Sequence, residues 1–135
     1  MSLTKASMIA GVAALLVFIP VTAQAAATTA APSNCDEKGV ACFYTKKNFK
    51  GKICTWEFAD RDTFKGDPSC DWMAAGTAPK SIYNNGTSDD GSTGIAYYRK
   101  KNYGGGRIGC TKNGKGGNVS MSVPRSLKWV SNKCG

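Results

Sequence analysis

Phe43-Tyr44-Thr45-Lys46-Lys47-Asn48-Phe49-Lys50-Gly51 returns later in the chain as Tyr97-Tyr98-Arg99-Lys100-Lys101-Asn102-Tyr103-Gly104-Gly105, at a constant offset of 54 residues. Tyr44 aligns with Tyr98, Phe49 with Tyr103, Asn48 with Asn102 and Gly51 with Gly105. Downstream, Pro79-Lys80-Ser81-Ile82 answers Pro124-Arg125-Ser126-Leu127 at an offset of 45. A chain that repeats itself in this way is built from two copies of one supersecondary unit. The first copy is nine residues longer, and Asp67–Trp72 (DPSCDW) reads as the insertion.

The repeated stretches are β in character. Val40–Tyr44 (VACFY) and Ile95–Tyr98 (IAYY) concentrate β-branched and aromatic residues, which pack well on a pleated surface. Ile53–Phe58 alternates as a second strand, and Ser81–Tyr83 and Ser126–Val130 read as the last strand of each unit. Gly51 and Gly105 follow an aromatic where a reversal needs φ > 0. The Asn-Gly pairs at 85–86 and 113–114 mark turns. One short helical candidate lies at Asp71–Ala75. Two units of about four strands each predict an all-β, two-sheet sandwich of Greek-key units.

Ahead of the repeat, Lys5 precedes an apolar run from Met8 to Val21, and Ala23-Gln24-Ala25 supplies small residues at a cleavage site. This is the pattern of an export signal, and the run is shorter than the roughly 20 apolar residues of a membrane span. The expected organisation is a signal peptide over 1–25, a flexible segment over 26–34, and one domain over 35–135. Greek key one covers about 40–85 and Greek key two about 95–131. The expected location is extracellular. The chain carries 18 Lys plus Arg against 9 Asp plus Glu, a formal charge of +9, so anionic partners such as wall polymers or membrane surfaces are favoured.

At Tyr44-x4-Phe49-x-Gly51 and Tyr98-x4-Tyr103-x-Gly105, with Ser81 and Ser126 downstream, the chain resembles the βγ-crystallin Greek key. The resemblance implies that the aromatic pair packs across a folded hairpin. It also implies that the Ser hydroxyl serves a backbone group that would otherwise be orphaned. With its leader and its Cys35-x6-Cys42 start, the chain is similar to secreted actinobacterial proteins of peptidase inhibitor family I36. That resemblance implies a proteinaceous inhibitor, of metalloproteases such as those like thermolysin, acting by steric occupation of the cleft. The matching inhibitory loop is Cys110, Thr111 and Lys112, before the Gly-rich turn Asn113–Asn118. Related βγ-crystallins include killer-toxin-like proteins, so a cationic toxin-like or wall-binding role is the alternative, with a structural, stress-related role behind it.

Many microbial relatives bind calcium through an acidic pair ahead of the Ser. Gly76–Ser81 and Met121–Ser126 lack that pair, and Lys80 or Arg125 stands where a hydroxyl ligand belongs. Calcium takes several oxygen ligands, so no metal site and no cofactor are expected. The six cysteines include no C-x-x-C pair and the chain has no His. An even cysteine count in an exported protein points to disulfides, not zinc. Spacing alone leaves the pairing open. The repeat places Cys54 and Cys110 in equivalent strands, which suggests one local bridge per segment: Cys35–Cys42, Cys54–Cys70 and Cys110–Cys134.

Catalytic machinery is missing. Without His there is no imidazole base, and oxidised cysteines offer no thiolate. Asp89-Asp90, flanked by Ser and Gly, reads as a solvated linker between the units. Lys46-Lys47 and Lys100-Lys101 sit between aromatics but belong to the folding hairpins, which disfavours nucleic-acid stacking. Trp56, Trp72 and Trp129 read as packing residues in preference to a sugar-stacking face. The sequons at Asn85 and Asn118 read as chance. An extracellular protease or an anionic surface is the expected partner, and a monomer the expected state.

Overall fold

The computed structural model describes residues 30–131 and Cys134. The expected leader, 1–25, and the start of the lead-in lie outside the described residues.

Among the described residues, seven strands form two antiparallel sheets. β1 (Ala41–Lys46) and β2 (Lys50–Trp56) make the first hairpin, and β3 (Ser81–Asn84) returns along the other side of β1. β4 (Gly94–Tyr98) and β5 (Arg107–Lys112) repeat that hairpin, and β7 (Ser126–Val130) returns beside β4. β6 (Lys115–Asn118) belongs to the second unit by sequence but pairs with β3 of the first. The orders are β2-β1-β3-β6 and β5-β4-β7. The fold is therefore the two-sheet, crystallin-like sandwich expected from the repeat, with a strand exchanged between the sheets.

Three local expectations are corrected. The units do not contribute four strands each. The first unit's counterpart of β6 is reduced to one bridge, Asp60 with Leu127, because the chain there turns into the long insertion and leaves the sheet. Asn113–Asn118 is not a continuous turn: the reversal occupies Asn113 and Gly114, and Lys115–Asn118 is strand β6. A Cβ at Gly116 would come within 2.6 Å of the Ile82 carbonyl oxygen and of the Tyr83 ring. That glycine lets two strands close, not the chain turn. Asn85-Gly86 forms no turn and follows directly on β3. Buried Asn85 donates to the carbonyls of Cys35 and Glu37.

The core lies between the sheets. Phe43 packs edge-on against Trp56 at 5.2 Å and Tyr97 at 5.8 Å, one ring from each unit. Ile82, Ile95, Met73 and Leu127 complete it, all fully buried. β2 ends at Trp56, and Phe58 beyond it is 70% exposed. α1 (Asp71–Ala74) is a single turn that caps the core with Trp72 and Met73. Three disulfides staple the margins: Cys35 to Cys42, Cys54 to Cys70, and Cys110 to Cys134. Together they hold the segment before β1, the entry to α1 and the C-terminal segment, which suits a domain with a small core. Asn34, the last residue of the expected lead-in, is docked: its amide donates to the Phe49 carbonyl and its oxygen accepts from Tyr44.

Candidate functional site

The signature residues build the same device twice. Asn48 and Phe49 have φ of 59° each, and Asn102 and Tyr103 have φ of 54° and 62°. Two successive left-handed residues fold the hairpin back over its own sheet. The fold-over brings Phe49 onto Tyr44 at 5.6 Å and Tyr103 onto Tyr98 at 5.8 Å. Ser81 Oγ accepts from the Phe49 N–H at 3.0 Å and donates to the Lys46 carbonyl at 2.6 Å. Ser126 Oγ does the same for Tyr103 at 2.9 Å and Lys100 at 2.6 Å. Gly51 and Gly105 sit at φ of 86° and 73°, and a Cβ on Gly105 would lie 2.8 Å from Lys100 Cγ.

The two cations at the calcium-signature positions differ in use. Lys80 is exposed. Arg125 grips Asp62 through Nε at 2.7 Å and a second nitrogen at 3.2 Å, and its guanidinium lies 4.1 Å from the centre of the Phe64 ring. Lys101 reaches the same carboxylate at 3.2 Å. The Arg125 hydrogen bond holds the Asp62 carboxyl far below its ordinary range and raises the Arg125 pKa in return. Here the protein supplies its own cation to a carboxylate. Among the described residues no group of three or more His, Cys, Asp or Glu could hold a metal ion.

At the opposite end, β5 and β6 meet across Asn113-Gly114, and the expected inhibitory residues lie beside that turn. Lys112 pairs with Gly94 in one sheet and Lys115 with Asn84 in the other, so the turn steps between sheets. It is braced on every side. Asn84 donates to the Thr111 carbonyl at 2.8 Å and to Asn113 Oδ1 at 3.1 Å. The Asn113 amide donates to the carbonyls of Thr87 at 2.9 Å and Ser92 at 3.0 Å. Backbone bonds run from Asn113 to Thr93 and from Gly114 to Asn84. The linker Thr87–Ser92 is thereby pinned to the turn, and Asp90 accepts from the Ser92 N–H at 2.8 Å.

Cys110, Thr111 and Lys112 thus sit on one strand with different exposures. Cys110 is joined to Cys134. The Thr111 hydroxyl is 2.6 Å from the Tyr97 phenol, whose pKa burial pushes up. Lys112 is exposed, as is Lys115 across the turn. Together with Gly116–Val119 these residues line a shallow groove between the two strands. Asn84 and Tyr97, which hold the turn, were not singled out in the sequence. A buried Asn at the end of a strand, ten residues before β4 opens at Gly94, is a local signal that only the exchange of β6 makes meaningful. The tryptophans share no face: Trp56 and Trp72 are buried, and Trp129 donates to the Glu57 carbonyl at 2.7 Å.

The described residues form a two-sheet, disulfide-stapled sandwich of crystallin-like class. The profile of peptidase inhibitor family I36 matches residues 28–111, and the chain belongs to that family. The match ends at Thr111, one residue before Lys112 and short of the turn. Membership places the chain among inhibitors, not enzymes. No curated protein matches it. Among solved structures it is similar to the fifth crystallin domain of the non-lens protein Absent in melanoma 1, in solution. The TM-score is 0.46 at 13% identity, covering 71% of this chain and 91% of that one. Among the described residues no helix is long and apolar enough to cross a membrane.

Proposed function

We propose that the chain is a secreted inhibitor of an extracellular protease, of the metalloprotease class to which the I36 resemblance points, and that it presents the β5–β6 turn to the protease cleft. The observation that carries this reading is the bracing of Asn113-Gly114 by Asn84, by the linker and by the Cys110–Cys134 bridge. A loop ordered before binding loses little entropy on binding, so more of its contact energy appears as affinity. The exposed contact residues are Lys112 and Lys115. Cys110 and Thr111 serve as supports.

The test is titration of a thermolysin-like metalloprotease, with subtilisin-like and trypsin-like enzymes as comparisons. The expected result is stoichiometric inhibition of the metalloprotease. Replacing Lys112 and Lys115 with Gly should weaken it at least tenfold, about 1.4 kcal/mol. Cys110→Ser with Cys134→Ser should weaken it while leaving the folded hairpins intact. Lys47→Gly should have no effect. Inhibition that survives the Lys112, Lys115 and cysteine variants would move the site elsewhere, and no inhibition of any class would overturn the reading.

A further inference from the structure

Six cations that are scattered in sequence are gathered in space. Tyr44 pairs with Ser81 and Tyr98 with Ser126, so both folded hairpins emerge at the end of the sandwich marked by those serines. The Asn113-Gly114 turn crosses between the sheets at the Asn84 and Gly94 end. The folded hairpins and the braced turn therefore occupy opposite ends. Lys46, Lys47 and Lys50 stand on the first hairpin, and Arg99, Lys100 and Lys101 on the second, all exposed. Lys101 reaches Asp62, which Arg125 already holds. Asp60 accepts from the Trp56 indole and the Asp62 N–H. Lys101 therefore shares Asp62 with Arg125, while Lys46, Lys47, Lys50, Arg99 and Lys100 form no salt bridge with an acid among the described residues. Exposed Glu57, Asp89 and Asp90 line a common cleft with Gly39, near the other end.

From this separation we infer that the folded-hairpin end is a docking surface for a linear phosphodiester polyanion of the poly(glycerol phosphate) type. Such a polymer carries one permanent charge per repeat and is flexible enough to engage both hairpins at once. Summed fields from like charges at one end attract it far more than the same charges spread evenly. A lipid surface fits less well. Bilayer-seeking surfaces add apolar tips, whereas Phe49 and Tyr103 are folded back on Tyr44 and Tyr98, and Phe58, the most exposed large apolar residue among the described ones, leads away from the hairpin end beyond β2. Base stacking needs free rings, and the hairpin rings are committed. Docked in this way, the chain would hold the braced turn away from the polymer. The inference does not rest on the inhibitory reading, because its test contains no protease.

The test is anisotropy titration of the labelled chain with poly(glycerol phosphate) across a salt series. The triple variant Lys47→Gln, Arg99→Gln, Lys100→Gln is compared with Lys38→Gln, Lys112→Gln, Lys115→Gln, which removes the same charge elsewhere. Binding should weaken steeply with salt, and the hairpin triple should lose about tenfold in affinity and show a shallower salt dependence. The control triple should stay within about twofold of the parent. Charge-matched oligo(dT) should bind no tighter than the polymer, because the surface reads phosphodiester charge and not bases. Equal losses in the two triples would reduce the effect to net charge and overturn the inference. So would tighter binding to phosphatidylglycerol vesicles or to oligo(dT).

Discussion

Ser81 and Ser126 each use one hydroxyl twice, accepting from the N–H of a left-handed aromatic and donating to the carbonyl three residues before it. Both serines are fully buried, so removing the oxygen leaves two backbone groups without a partner or access to water. Ser81→Ala and Ser126→Ala should each cost about 1–3 kcal/mol in urea denaturation. The two share no partner, so the double variant should lose about the sum. Losses within error of zero would mean that water serves these groups. Asp62 makes a prediction in pH. Its folded pKa is depressed by Arg125, so it stabilises the fold fully above its unfolded pKa of about 4 and loses that contribution as pH falls toward the folded value. Between about pH 4 and 2 the wild-type melting temperature should fall more steeply than that of Asp62→Asn. Parallel curves would show that the ion pair adds nothing. These roles were readable in part. The spacing of Tyr, Gly and Ser exposed the hairpin device, but Asp62 has no counterpart in the repeat and nothing local ties it to Arg125.

At the scale of elements, β1 and β4 were legible because Phe43-Tyr44 and Tyr97-Tyr98 combine strand chemistry with repetition. β6 was not. Lys115-Gly116-Gly117-Asn118 carries no β-branched or aromatic residue, and it is a strand because Tyr83 and Ile82 accept a bare backbone against them. Its turn was legible as Asn-Gly, but not its partner, because local patterns do not say which sheet a strand joins. Gly116→Ala tests this account. The added methyl cannot avoid the Ile82 carbonyl and the Tyr83 backbone, so β6 must shift, at a cost of about 1–3 kcal/mol. Amide exchange should accelerate at Val119, whose N–H donates to the Lys80 carbonyl across the β3–β6 edge, while β4 and β7 stay protected. An unchanged exchange pattern would contradict the proposed close approach of the two strands.

At the scale of the molecule, the sandwich converts a repeated sequence into a body with two unlike ends. One carries two cationic, folded hairpins, and the other a turn between the sheets, braced by asparagines, a linker and a disulfide. The repeat foretold the two units and the class of fold, while the polarity arises only when the strands close and bring cations from residues 46–50 and 99–101 to one end. The central claim is that the braced end meets the protease. The most direct measurement is amide hydrogen exchange of the oxidised chain, alone and with excess catalytically inactivated thermolysin-like metalloprotease. Protection gained over residues 110–118, with none added over 46–52 or 99–105, is the predicted result. Protection confined to the folded hairpins, or absent throughout at saturating protease, would contradict the account.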